Sequence, residues 1–113
     1  MKGRRVHAGR RKDIERELQR IKAVLPGLNV EKALLFGSSA RGETEAGSDI
    51  DLLIVMKTEL PFLERLITLY KILDPQVALD LLVYTPEEME LLAGRPFIKE
   101  ILREGVVLYA KES

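Results

Sequence analysis

Ile14, Leu18, Ile21 and Leu25 recur at steps of four, three and four. That spacing lines one side of a helix over 13–25, which Pro26-Gly27 stops. From Val30 to Phe36 the pattern becomes a nearly continuous apolar run ended by Gly37, the mark of a short buried strand. Residues 38–48 are small, polar and glycine-containing, a loop with room for one helical turn. Ile50 to Met56 reads as a second strand. Pro61 opens a helix through about Asp74, with Leu63, Leu66, Ile67, Tyr70 and Leu73 on one side. Val77 to Tyr84 is a third strand. Thr85-Pro86-Glu87-Glu88 combines a cap, a proline at the first helical position and a glutamate three after the cap. That helix ends near Gly94. Pro96 begins another through about Glu104, Gly105 ends it, and Val106 to Tyr109 is a fourth short strand.

The order of these elements fixes much of the topology. The loop between the first two strands is too short for a helical crossover, so they pair antiparallel. The helix at 61–74 spans a right-handed crossover from the second strand to the third, which leaves those two parallel. The fold class is α/β in the α+β sense: a small mixed β-sheet with flanking helices.

Alternation along the second strand puts Asp49, Asp51 and Leu53 on one face and Ile50, Leu52 and Ile54 on the other. Two carboxylates on one face of a buried strand repel each other and resist desolvation. Antiparallel pairing brings Gly37-Ser38 beside Asp49-x-Asp51. Parallel pairing brings Asp80, the one acid in VALDLLVY, to the same end. Three acids then converge there. Hard oxygen donors of this kind suit Mg²⁺ or Mn²⁺. Two such ions stabilise the attacking and leaving oxygens of a phosphoryl-type displacement. Gly37 permits close backbone approach, and Ser38 offers a hydroxyl and nearby amides to a phosphate. A plain turn explains Gly37 and Ser38 but not three acids on buried strands. Gly-Ser, ten residues, then Asp-x-Asp would arise by chance in about one chain per thousand of this length.

Composition narrows the setting. The 113 residues suffice for one domain, and 46% hydrophobic content for one core. The absence of cysteine excludes disulfides, zinc-thiolate sites and a Cys nucleophile. No apolar run reaches membrane-spanning length and no signal peptide stands at the start, so a cytoplasmic protein without a membrane partner is expected. Charge balances at 18 basic against 18 acidic residues, which argues against a broad nucleic-acid-binding surface. The basic residues are unevenly placed: MKGRRVHAGRRK holds six of them and no acid. The domain is therefore placed at 13–113, behind a basic tail over 1–12 that is free to be disordered. That tail reads either as a frayed terminus or as an arm for RNA or an acidic partner. His7, the only histidine, lies within it and reads as exposed rather than catalytic. Abundant charge with one Asn and two Gln leans toward a hot habitat.

At GSSARGETEAGSDIDLLIV, residues 37–55, the chain resembles the minimal nucleotidyltransferases of the DNA polymerase β superfamily. Their signature is Gly-Ser, ten residues, then Asp-x-Asp, with a third acid on a later strand; the likeness runs from about 13 to 110. The resemblance implies a polymerase-β-type nucleotidyltransferase core that transfers a nucleoside monophosphate, with ATP and Mg²⁺, to an acceptor hydroxyl. It implies that Gly37 and Ser38 hold the triphosphate and Asp49 and Asp51 the metals. Asp80 would ligate the catalytic metal and help deprotonate the acceptor. Arg41 reaches a phosphate or pairs with Glu43 or Glu45. Thr44 and Ser48 read as loop structure, and Tyr70, Tyr84 and Tyr109 as core or interface.

A chain this short has no room for an acceptor-binding domain. Short members resemble the antitoxin halves of HEPN–MNT toxin–antitoxin pairs, which implies AMP transfer from ATP to a tyrosine of a helical HEPN-type toxin. Wide apolar faces on the helices at 61–74 and 96–104 suit such a partner, or simply cover the sheet. Two other readings stay open. One is a catalytically silent antitoxin acting by occlusion. The other is an enzyme for a small molecule or a nucleic-acid end, as a homo-oligomer or with a second subunit.

Overall fold

The structure, a computed structural model, describes the backbone of residues 2–41 and 49–112, and side chains from residue 11 onward within those ranges. The first helix, α1 (Lys2–Val24), runs into a 3-10 turn at Leu25–Gly27. Strand β1 (Val30–Leu35) leads to a four-residue helix, α2 (Gly37–Ala40). Then come β2 (Ile50–Met56), α3 (Phe62–Leu73), β3 (Leu79–Tyr84), α4 (Pro86–Leu92), α5 (Pro96–Glu104) and β4 (Val106–Ala110). The sheet order is β3-β2-β1-β4. As the sequence predicts, β1 and β2 are antiparallel and β2 and β3 parallel. Among the described residues no helix is long and apolar enough to cross a membrane.

Strand alternation divides the core in two. Ile50, Leu52 and Ile54 point to the face covered by α1 and α3, where Ile21, Leu25, Leu69 and Leu73 meet them. Leu34 and Leu53 point to the other face, against Ile98 and Ile101 of α5 and Met89 and Leu92 of α4. Each fully buried aliphatic side chain of this kind contributes about 1.5–3 kcal/mol. The predicted α1 stripe is the one that packs: Ile21 and Leu25 are fully buried, with Ile14 and Leu18 half-buried beside them.

The inward face of α3 differs from the expected one. Leu66, Tyr70 and Leu73 face the core, but Leu63 and Ile67 are 65% and 49% exposed. The inner positions are Arg65, Leu69 and Leu73. Apolar residues ring much of this helix, so periodicity alone does not choose its buried side. Arg65 is tolerated inside because every direction of its guanidinium is answered. It donates to Glu88 through Nη1 and Nη2 (2.7 and 3.0 Å), to the Leu60 carbonyl (2.7 Å) and to the Val83 carbonyl (3.2 Å). Glu88 also closes the capping box of α4, accepting from the Thr85 N–H at 3.0 Å while its own N–H donates to Thr85 Oγ1 at 3.1 Å. One carboxylate thus ties α3 to the start of α4.

A second ion pair ties α1 to the chain leaving α3. Glu17, 4% exposed, accepts from Arg20 at 2.8 and 2.9 Å and from the Gln76 N–H at 2.7 Å. The Arg20 guanidinium, aided by that N–H and opposed by burial, holds the Glu17 carboxyl below the usual carboxylate range. A depressed folded-state pKa contributes stability in full above the unfolded carboxylate pKa, about 4.3. That contribution is lost as pH falls through the lower folded-state value. Urea midpoints measured from pH 7 to pH 3 should therefore fall less steeply for Glu17→Gln than for the wild type. At pH 7, Glu88→Ala strands the buried Arg65 charge and should lower unfolding free energy by about 3 kcal/mol. Leu91→Ala, at a residue 82% exposed, should change it by less than about 0.5 kcal/mol in the same assay.

Candidate active site

The end of β1 and the start of β2 make a tight corner. Phe36 is extended, and its N–H donates to the Asp51 carbonyl at 3.0 Å, the last backbone bond on this side among the described residues. Gly37 then turns the chain with φ +62°, a left-handed conformation open to glycine at little cost. The corner leaves almost no space: a Cβ on Gly37 would stand 3.0 Å from Asp51 Oδ2. The backbone at Gly37 therefore lies directly against the Asp51 carboxylate.

Asp49, Asp51 and Asp80 all lie toward this end of the sheet, in different states. Asp51 is half-buried and stands opposite Asp80 in the parallel register. Neighbouring strands lie about 4.8 Å apart, so these two residues are neighbours across the ladder. Asp80 is exposed, on the edge strand β3. Asp49 is 3% exposed, its N–H donating to the Ala78 carbonyl (2.9 Å) and its Oδ2 accepting from the Ala78 N–H (3.1 Å). Ala78 thus holds Asp49 through both its N–H and its carbonyl, and β3 begins at Leu79, later than the predicted Val77. Among the described residues no three acidic or histidine side chains are grouped so as to hold a metal ion. The donors are all hard carboxylate oxygens, the chemistry that suits Mg²⁺ or Mn²⁺, and the Asp51–Asp80 pair is a place where a cation would relieve repulsion.

Ser38 is half-buried in α2, and its carbonyl accepts from the Arg41 N–H at 3.1 Å. Arg41, exposed, closes α2. Its expected partners Glu43 and Glu45 lie outside the described residues, as do Thr44 and Ser48. Beside Gly37, between α2 and α5, is a cleft of about 100 Å³ lined by Phe36, Ala40, Arg41, Phe97 and Glu100 among others. Phe36 and Phe97 meet there edge to face at 5.8 Å. Tyr70 is engaged elsewhere, donating to the Leu79 carbonyl at 2.7 Å, and burial raises its pKa.

Ser39 is the residue the sequence reading passed over. Its hydroxyl donates to the Phe36 carbonyl at 2.6 Å and accepts from the Asp51 N–H at 3.1 Å. Its only sequence signal is position: a small polar residue two after the turning glycine.

Residues 19–113 match the family described as "Polymerase beta, Nucleotidyltransferase". A protein of Methanocaldococcus jannaschii named as a protein adenylyltransferase is 35% identical over 80 residues, 71% of this chain and 79% of that one. A crystal structure named as a nucleotidyltransferase from Sulfolobus solfataricus superposes with a TM-score of 0.60 at 23% identity, covering 90% of this chain and 87% of that one. A structure described as a toxin-antitoxin with AMP-PNP gives a TM-score of 0.53 at 20% identity, over 84% and 74% of the two chains. The last two likenesses are of fold.

Gly37→Ala meets both the left-handed φ and the Asp51 carboxylate. It should lower unfolding free energy by about 1–3 kcal/mol in urea titrations. The chemical shift of the Asp51 side chain should move with it.

Proposed function

Since the chain belongs to the polymerase beta nucleotidyltransferase family, we propose that it is a Mg²⁺-dependent adenylyltransferase acting on a protein. In this reading it moves AMP from ATP to a tyrosine hydroxyl of a HEPN-type toxin and so serves as its antitoxin. The observation that carries the chemistry is the corner at Gly37, pressed against Asp51 with Asp80 in register beside it. The protein acceptor is supported by the M. jannaschii relative's name and by the fold shared with a toxin-antitoxin structure.

The roles are those that the family resemblance implies. Gly37 and Ser38 would bear on the triphosphate, with Arg41 at the end of the same turn. Asp49 and Asp51 would hold the metal ions, and Asp80 would share the catalytic one. When bound, Mg²⁺ neutralises phosphate charge and eases deprotonation of the acceptor hydroxyl. Asp80, exposed on its edge strand, would take that proton. The acceptor oxygen bonds to the α-phosphorus, the bond from that phosphorus to the bridging oxygen breaks, and pyrophosphate leaves.

The 100 Å³ cleft is too small for a macromolecular acceptor, so the partner brings its own binding surface. Leu63 and Ile67 on α3, and Phe97 and Leu102 on α5, are exposed apolar residues available to it.

Intact mass of the neighbouring helical gene product, after incubation with this protein, ATP and Mg²⁺, tests the reading. A gain by whole AMP units is expected, and it should vanish with Asp49→Ala/Asp51→Ala. Asp80→Asn should slow transfer about 10²-fold or more. No gain from a stably formed complex would replace transfer by inhibition through occlusion.

A further inference from the structure

We infer that Ser39 is a positioning residue for Asp51, a role that rests on the nucleotide-transfer reading above. In a regular ladder the Asp51 N–H would find a carbonyl on the outgoing β1 chain. The left-handed turn at Gly37 carries that chain away, and among the described residues the last backbone bond there is Phe36 N–H to the Asp51 carbonyl at 3.0 Å. The Ser39 hydroxyl fills the gap. It takes the Asp51 N–H at 3.1 Å and sends its single proton to the Phe36 carbonyl at 2.6 Å; the Asp51 carbonyl lies farther off, at 3.3 Å.

One side chain therefore completes the sheet where the backbone cannot, and it joins the two halves of the site. On one side is the Gly37-Ser38 turn that meets phosphate, and on the other is the backbone from which the Asp51 carboxylate projects. The task needs a group that accepts and donates at once in a space set by a 2.6 Å bond. Serine and threonine hydroxyls do this, a thiol does so weakly, and alanine not at all.

The test compares the wild type with Ser39→Thr, Ser39→Cys and Ser39→Ala. Two readouts are used: amide hydrogen exchange by NMR, and calorimetric affinity for AMP-PNP with Mg²⁺. In Ser39→Ala the Asp51 amide should exchange at least about tenfold faster, while the amides of Leu53 and Ile54 keep their protection. Affinity should fall about 10- to 100-fold, the usual loss when support behind a metal ligand is removed. Ser39→Thr should restore both, and Ser39→Cys should fall between, which keeps the series readable where Ser39→Ala fails to fold. An Asp51 amide as protected in Ser39→Ala as in the wild type overturns the assignment. So does equal affinity of Ser39→Ala and a wild type that binds. A wild type that binds no Mg·AMP-PNP overturns the ATP reading instead, and any service of Ser39 to that site goes with it.

Discussion

The site depends on how closely the backbone at Gly37 approaches the Asp51 carboxylate. A strand must end, the chain must reverse, and a charged side chain must stand undisturbed at the corner. With 3.0 Å between a would-be Cβ and Asp51 Oδ2, only glycine meets all three demands. Its φ of +62° aims the next residues along α2 rather than onward along β1. The price is a missing rung in the ladder, supplied by Ser39. The Gly37-Ser38 turn and the strand that carries Asp51 are therefore one hydrogen-bonded unit, not two motifs that happen to meet.

Two ion pairs hold the frame around that unit. Glu17 with Arg20 fixes α1 to the chain entering β3, only two residues from the Ala78 peptide that grips Asp49. Arg65 with Glu88 fixes the start of α3 to the start of α4 at the far end of β3. Both ends of the edge strand are thus anchored by a carboxylate that also accepts from a backbone N–H. Such bonds depend strongly on geometry and specify a single arrangement, where the apolar faces of α3 would accept more than one.

What the sequence made legible follows from which signals are local. The strand starting at Ile50, the capping box at Thr85, the helix opened by Pro96 and the pairing directions of three strands could be read from spacing and short-range chemistry. The likeness at GSSARGETEAGSDIDLLIV identified the family. Burial of Arg65 could not be read, because its partner stands 23 residues away and an arginine inside an apolar helix looks like a solvated one. The commitment of Asp49 to the Ala78 N–H was hidden for the same reason: nothing in VALDLLVY announces that the N–H of its second residue will bind a carboxylate. Ser39 was hidden by its neighbour, since a Gly-Ser motif draws attention to Ser38 and away from the next hydroxyl.

The unequal exposure of the acids bears on how an acceptor enters. Asp49 is buried against Ala78, and Asp51 lies half-buried beside Gly37. Asp80 is exposed on β3, an edge strand with no further strand beyond it in the described sheet. In the transfer we propose, an acceptor hydroxyl would arrive from the β3 side and meet Asp80 first, and the nucleotide would lie over the turn at Gly37 and Ser38. Entry from opposite sides would set attacking and leaving oxygens on opposite sides of the transferred phosphorus, as in-line displacement requires.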